Sequence, residues 1–167
     1  MQLPIVFVLG LVGVAMSYTQ RMFDPLTLVL ARVFAVDASQ IVLLAPAFSL
    51  PYALGQLLLG PLADSVGKTL LLRACLSMLL VTTLITYFVT DFTALFVLRA
   101  MMGLCGAGLI PVALAIIADR VPIEQRQIAY SRFLISSVIG QMFASPVAAW
   151  LATRWSWSVA VLFSSAL

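Results

Sequence analysis

Histidine is absent from the chain, and only 9% of its 167 residues carry charge, where soluble domains carry about 25%. The two cysteines, Cys75 and Cys105, are far apart in the sequence, so no ordinary zinc ligand set or nucleophile–histidine triad can be assembled. Both fall in apolar runs, where a small polarizable side chain serves packing. The pattern G-x-x-x-x-G-K-[ST] is missing as well, which excludes the usual phosphate-cradling loop. No enzyme, metal, cofactor or nucleic-acid partner is expected from such an inventory. A basic n-region is also lacking in MQLPIVFVLGLVGVAMSY, so this segment reads as a first membrane span and not as a cleaved signal.

What the chain does contain is apolar: 63% of residues are hydrophobic and the mean hydropathy is +1.16. Breaks rich in proline, glycine and charge divide it into runs that each suit a crossing of about 20 residues. The spans are predicted at about 4–33, 39–62, 69–89, 92–118, 129–152 and from 156 onward. WSWSVAVLFSSAL is too short to cross, so the sixth helix is expected to be truncated here. Continuous runs such as Met78–Val81 do not alternate as barrel strands do. With the N-terminus inside, cytoplasmic segments hold Lys68, Arg73, Arg120, Arg126 and Arg132, and outer ones only Arg32 and Arg154, as the positive-inside bias requires. The short outer connections leave no extracellular domain for a large partner.

A short phrase occurs twice. Sliding the chain by 85 residues places Gln40 on Gln125, Phe48 on Phe133, Gly55 on Gly140, Gln56 on Gln141, Pro61 on Pro146 and Ala63 on Ala148. One copy lies in span two and the other in span five, which run in opposite directions, the pattern of an inverted three-plus-three repeat. Chance matching in an apolar chain is the alternative. The fold class expected is therefore an all-α membrane protein, a six-helix bundle of two inverted three-helix repeats.

Residues 60–68, GPLADSVGK, close span two. Gly60 permits close approach of a neighbouring backbone, Gly67 a tight turn, and the i,i+4 spacing of Asp64 and Lys68 an ion pair. Gly60, Leu62, Ala63, Asp64, Gly67 and Lys68 resemble the G-x-L-A-D-x-x-G-R/K signature between helices two and three of the major facilitator superfamily. Ser65 and Thr69 stand where that family often has basic residues. Arg99-Ala-Met-Met-Gly103-Leu-Cys-Gly106-Ala-Gly108 resembles its R-x-x-x-G helix, with Met102 in place of the usual Gln. Asp119-Arg-Val-Pro122 and Glu124-Gln-Arg126 resemble its connection between helices four and five. Gly140, Ala144, Ser145-Pro146, Ala148 and Ala149 are similar to the helix-five motif of antiporters but lack its later glycines. Trp155 and Trp157 fall where helix six begins in the family.

The resemblance implies that residues 1–167 form the N-terminal half of a secondary active transporter, an antiporter or symporter, that moves a small solute by alternating access. It also implies a multi-pass location in a bacterial inner (plasma) membrane, a cytoplasmic N-terminus, and a partner in a missing C-terminal half or a second copy. With no nucleotide loop, an ion or solute gradient must supply the energy, and protons are one option. The contrasting reading is a truncated or half-size protein with a structural or assembly role. Asp64, Lys68, Asp119 and Arg126, with Gly60 and Gly67, would form the cytoplasmic gate; the plainer reading is that these charges mark loop ends.

Several polar residues interrupt the spans. An arginine at a helix centre costs about 2.5–3.5 kcal/mol on insertion scales, so Arg99 must face a cavity or partner, or else snorkel outward. In span one, Tyr18, Gln20, Arg21 and Asp24 precede Pro25. The spacing allows Asp24 to meet both Gln20 and Arg21, making either a proton or substrate site or a self-neutralised pair. Gln56 and Gln141 can serve helix–helix contact or a ligand.

Overall fold

A computed structural model describes the backbone of residues 3–167 and the side chains of residues 5–167; Met1 and Gln2, where the first domain reading begins, lie outside the described residues. Span one is built from α1 (Leu3–Arg21), a 3-10 turn (Asp24–Leu26) and α2 (Thr27–Phe34). Span two comprises α3 (Ala38–Val42) and α4 (Leu44–Val66), and span three is α5 (Lys68–Thr86). Span four comprises α6 (Phe92–Gly106) and α7 (Leu109–Arg120), span five is α8 (Ile123–Arg154), and α9 is Trp157–Ala166. Five segments, Ile5–Phe34, Ala38–Val66, Lys68–Thr86, Phe92–Arg120 and Ile123–Arg154, are long and apolar enough to cross a membrane. No strand occurs among the described residues. The chain is an all-helical membrane bundle.

The helix ends follow local chemistry. Ala35 closes α2 in the left-handed region, at φ 51°. Gly67, at φ 101° and ψ 125°, turns α4 into α5, a conformation open to glycine because it has no Cβ. The Asp91 carboxylate accepts from the Ala94 N–H at 3.0 Å at the start of α6, and the Ser156 hydroxyl accepts from Val159 N–H at 3.3 Å at the start of α9. These caps satisfy donors that a helix start leaves open.

The two halves of the bundle pair their helices in the same way. Span one lies along span five and span two along span four. In the first copy of the repeated phrase, a Cβ on Gly55 would stand 2.7 Å from Ala107 Cβ, in span four. In the second, a Cβ on Gly140 would stand 2.6 Å from the Val14 carbonyl oxygen, in span one. Phe48 and Phe133 are likewise equivalent: the Phe48 backbone lies against Gly103 of span four, and the Phe133 ring against Gly13 of span one. Close approach through small residues is how membrane helices associate without a hydrophobic drive between them. Spans one and four are also the two most enclosed, with 61% of an 18-residue apolar stretch buried in each, against 28% in spans two and five. An inverted repeat accounts for both regularities.

Span one, expected as a continuous run, is broken. α1 stops at Arg21, and the chain passes through Met22, Phe23 and the Asp24–Leu26 turn before α2 resumes. Pro25, near the start of that turn, has no N–H to give to a continuing helix. Span four is interrupted in turn between Gly106 and Leu109. Span five begins at Ile123 rather than near 129.

Candidate functional site

The break in span one opens the end of α1, where the last carbonyls of a helix lack intrahelical donors. Arg99 supplies them. Its Nη1 donates to the Thr19 carbonyl at 2.7 Å and its Nη2 to the Gln20 carbonyl at 2.6 Å. The guanidinium carbon lies 4.8 Å from the Phe23 ring centroid and 4.3 Å from that of Phe48, positions in which the ring quadrupole attracts a cation. The field at a helix C-terminus also favours positive charge. Arg99 is 2% exposed and its Nε has no hydrogen-bond partner, so the snorkelling alternative is excluded. Arg99 begins its role about 10 Å into span four, counting from Phe92 at 1.5 Å per residue.

Beside this clamp lies a pocket of about 190 Å³ bordered by Phe23, Asp24, Thr27, Ile41, Leu44 and Arg99, among others. Asp24 Oδ2 accepts from Arg21 Nη1 at 3.3 Å, and both side chains are about half exposed. The expected reach of Asp24 to Gln20 is not made: α1 has ended between them, so the i,i+4 geometry does not apply. Gln20 contributes its carbonyl to Arg99 instead. Tyr18 is 2% exposed; its hydroxyl donates to the Ala160 carbonyl at 3.1 Å and its ring meets Phe163 edge-on at 5.3 Å. It fastens span one to α9 and does not line the pocket. Gln56 and Gln141 are exposed on spans two and five, away from the helix contacts made by their neighbours Gly55 and Gly140.

At the other end of the bundle, Ala63, Asp64, Gly67, Lys68, Asp119 and Arg120 border a pocket of about 420 Å³. Lys68 Nζ donates to Asp119 Oδ2 at 2.6 Å, joining α5 to α7. Lys68 does not pair with Asp64, because the positive φ of Gly67 separates the two residues into different helices. Arg120 Nη2 reaches Thr69 Oγ1 at 3.5 Å, a second tie between the same helices. Arg126 stands apart from this group, its Nε donating to the Val121 carbonyl at 3.0 Å across the turn into α8. Around Gly60 no described atom lies within 4 Å of a would-be Cβ, so the close approach expected there is not made within this chain. The structure thus brings together Asp64, Gly67, Lys68 and Asp119 at one end, and Arg21, Asp24 and Arg99 at the other.

Sequence reasoning missed the partners of Arg99, two backbone carbonyls and two aromatic faces. Phe48 carried a signal as part of the repeated phrase; the carbonyls carried none.

This placement of a charged turn between spans two and three, and of an arginine helix in span four, agrees with the comparison with known families. The model of the Major Facilitator Superfamily matches residues 9–167. The chain belongs to the major facilitator superfamily. Among relatives, an uncharacterized MFS-type transporter of Bacillus subtilis is 28% identical over 159 residues, covering 93% of this chain and 39% of its own length. An uncharacterized transporter of Buchnera aphidicola is 24% identical over 132 residues, covering 79% of this chain and 32% of its own length. The hexuronate transporter of Escherichia coli is 35% identical over 71 residues, covering 42% of this chain and 16% of its own length. The chain therefore spans about a third to two fifths of the first two relatives. As a superfamily member with five crossing-length helices, it is an integral multi-pass membrane protein of a transporter family.

Proposed function

We propose that residues 1–167 are the N-terminal half of a secondary active transporter that carries a small solute between two six-helix halves by alternating access. The observation that carries this reading is the openness of spans two and five. Both leave most of their surface uncovered, each presents a glutamine among aliphatic residues, and they are equivalent under the inverted repeat. A second half laid against these two faces would complete a cavity between pseudo-symmetric units. The greater length of the curated relatives favours a second half within one polypeptide over a second copy of this chain.

In this reading Asp24 is the proton-coupling group. It is the one carboxylate that the sequence places within a span, it borders a pocket, and half of it is open to solvent. Lys68–Asp119 and Asp64 form the cytoplasmic gate, with the N-terminus on the same side by the distribution of Lys and Arg. The membrane would be a bacterial inner membrane.

The test uses the complete protein in vesicles with an imposed pH gradient and a panel of hexuronates, zwitterionic amino acids and lipophilic cations. Saturable movement of one class, driven by the gradient in the parent protein and uncoupled from it in Asp24→Asn, is the expected result. Transport that ignores the gradient would remove the coupling role, and a chain that purifies as a lone 18.0 kDa monomer would remove the two-half carrier.

A further inference from the structure

The breaks in spans one and four fall at equivalent residues. α1 ends at Arg21 and α6 at Gly106, so the irregular stretches begin at Met22 and Ala107, and the 85-residue slide that aligns the repeated phrase carries each first residue onto the second. A proline stands shortly beyond each break, Pro25 and Pro111, and withholds an N–H from the carbonyl four residues back. The two spans run in opposite directions. The arm beyond the first break, α2, and the arm beyond the second, α7, therefore point to opposite ends of the bundle.

What braces the two breaks differs. In span one the Thr19 and Gln20 carbonyls are taken by the Arg99 guanidinium, which the Phe23 and Phe48 rings flank. Their equivalents in span four are the carbonyls of Leu104 and Cys105, and the residue equivalent to Arg99 is Val14, which has no side-chain donor. The Leu104 carbonyl accepts at 3.3 Å from the Ala107 N–H, which it shares with the Gly103 carbonyl at 3.1 Å. At Gly103 and Gly140 a Cβ would strike the backbone of another helix; at Gly106 and Gly108 it would meet only the side chains of Met16, Phe48, Leu59 and Cys75, which can turn as the chain moves. Proline and glycine together are the ordinary causes of a helix bend. We infer that span four hinges at Ala107–Gly108, while span one, broken at the equivalent place, is held rigid by Arg99. α7 is then the moving arm. Its far end carries Asp119 and Arg120, whose contacts with Lys68 and Thr69 of α5 set whether the arm is bound or free. The use of the motion rests on the transport reading, but the hinge itself does not.

Two buried methionines report on the two breaks: Met22 lies in the first, and the end of Met16 lies over Gly106 at the second. Methyl-group relaxation dispersion of the complete protein in nanodiscs, with no solute added, reads exchange on the μs–ms timescale of collective helix motion. Met16 should show exchange and Met22 none. Pro111→Ala, which restores an N–H for the Ala107 carbonyl, should cut the Met16 exchange contribution about twofold or more. Arg99→Gln should switch exchange on at Met22. A flat Met16, equal exchange at the two methyls in the parent, Met16 exchange untouched by Pro111→Ala, or a flat Met22 in folded Arg99→Gln would each overturn the inference, whether or not the protein moves a solute. Should Arg99→Gln fail to fold, the parent and Pro111→Ala decide by themselves.

Discussion

Arg99 shows how much of a buried charge's role is set by groups that a sequence does not spell out. Its insertion cost and depth were legible and left open a cavity, a partner or snorkelling to the interface; the structure supplies a partner, the end of a broken helix. Backbone carbonyls are the same at every residue, so only the fold reveals which of them are free. Arg99→Ala removes two charge-assisted hydrogen bonds and should destabilise the bundle by on the order of 3 kcal/mol. Arg99→Lys should recover only part of that, because an ammonium is a point charge and not a planar fork; thermal unfolding in detergent gives both values. Gly103 offers a second residue-scale check. A Cβ there would overlap the Phe48 backbone, which cannot swing aside, so Gly103→Ala should cost about 1–3 kcal/mol as overpacking.

At the scale of elements, the order of the spans and their approximate ends could be read from hydropathy, proline and glycine, though not their division into shorter helices. The break in span one could be foreseen only in part. Pro25 marked it, yet the run Ile5–Phe34 is apolar enough to pass as one helix. The Asp64–Lys68 pairing failed for a related reason: i,i+4 spacing has meaning only within an unbroken helix, and Gly67 ends one helix and starts the next. Gly67→Ala should therefore destabilise the α4–α5 turn by about 1–3 kcal/mol, the strain of holding a Cβ-bearing residue at that φ, as seen by unfolding or by protease cleavage between Val66 and Lys68. The repeated phrase was the better guide, since its glycines and phenylalanines do fall on equivalent helix pairs.

For the whole molecule, Gly60 separates what this chain provides from what the proposed second half would add. No side chain or other helix among the described residues lies within 4 Å of a Cβ placed there, so Gly60→Ala should leave the stability of this helical bundle unchanged or slightly raised, as alanine favours a helix over glycine. Under the proposed two-half reading, the same substitution in the complete protein should slow solute turnover. Asp64→Asn should act alike, leaving stability nearly untouched while, under the proposed alternating-access reading, shifting the inward–outward balance; distances between spin labels on α4 and α7 near Asp64 and Asp119 would report the shift.

The clamp made by Arg99 also bears on how the protein is made. Span one leaves the ribosome before span four, with the Thr19 and Gln20 carbonyls still open. Span four, arriving later, carries a charge whose lone insertion costs about 2.5–3.5 kcal/mol, and the open end of span one is what receives it. Biogenesis thus has an order written into it, in which an early helix holds the berth for an arginine synthesised some eighty residues afterwards.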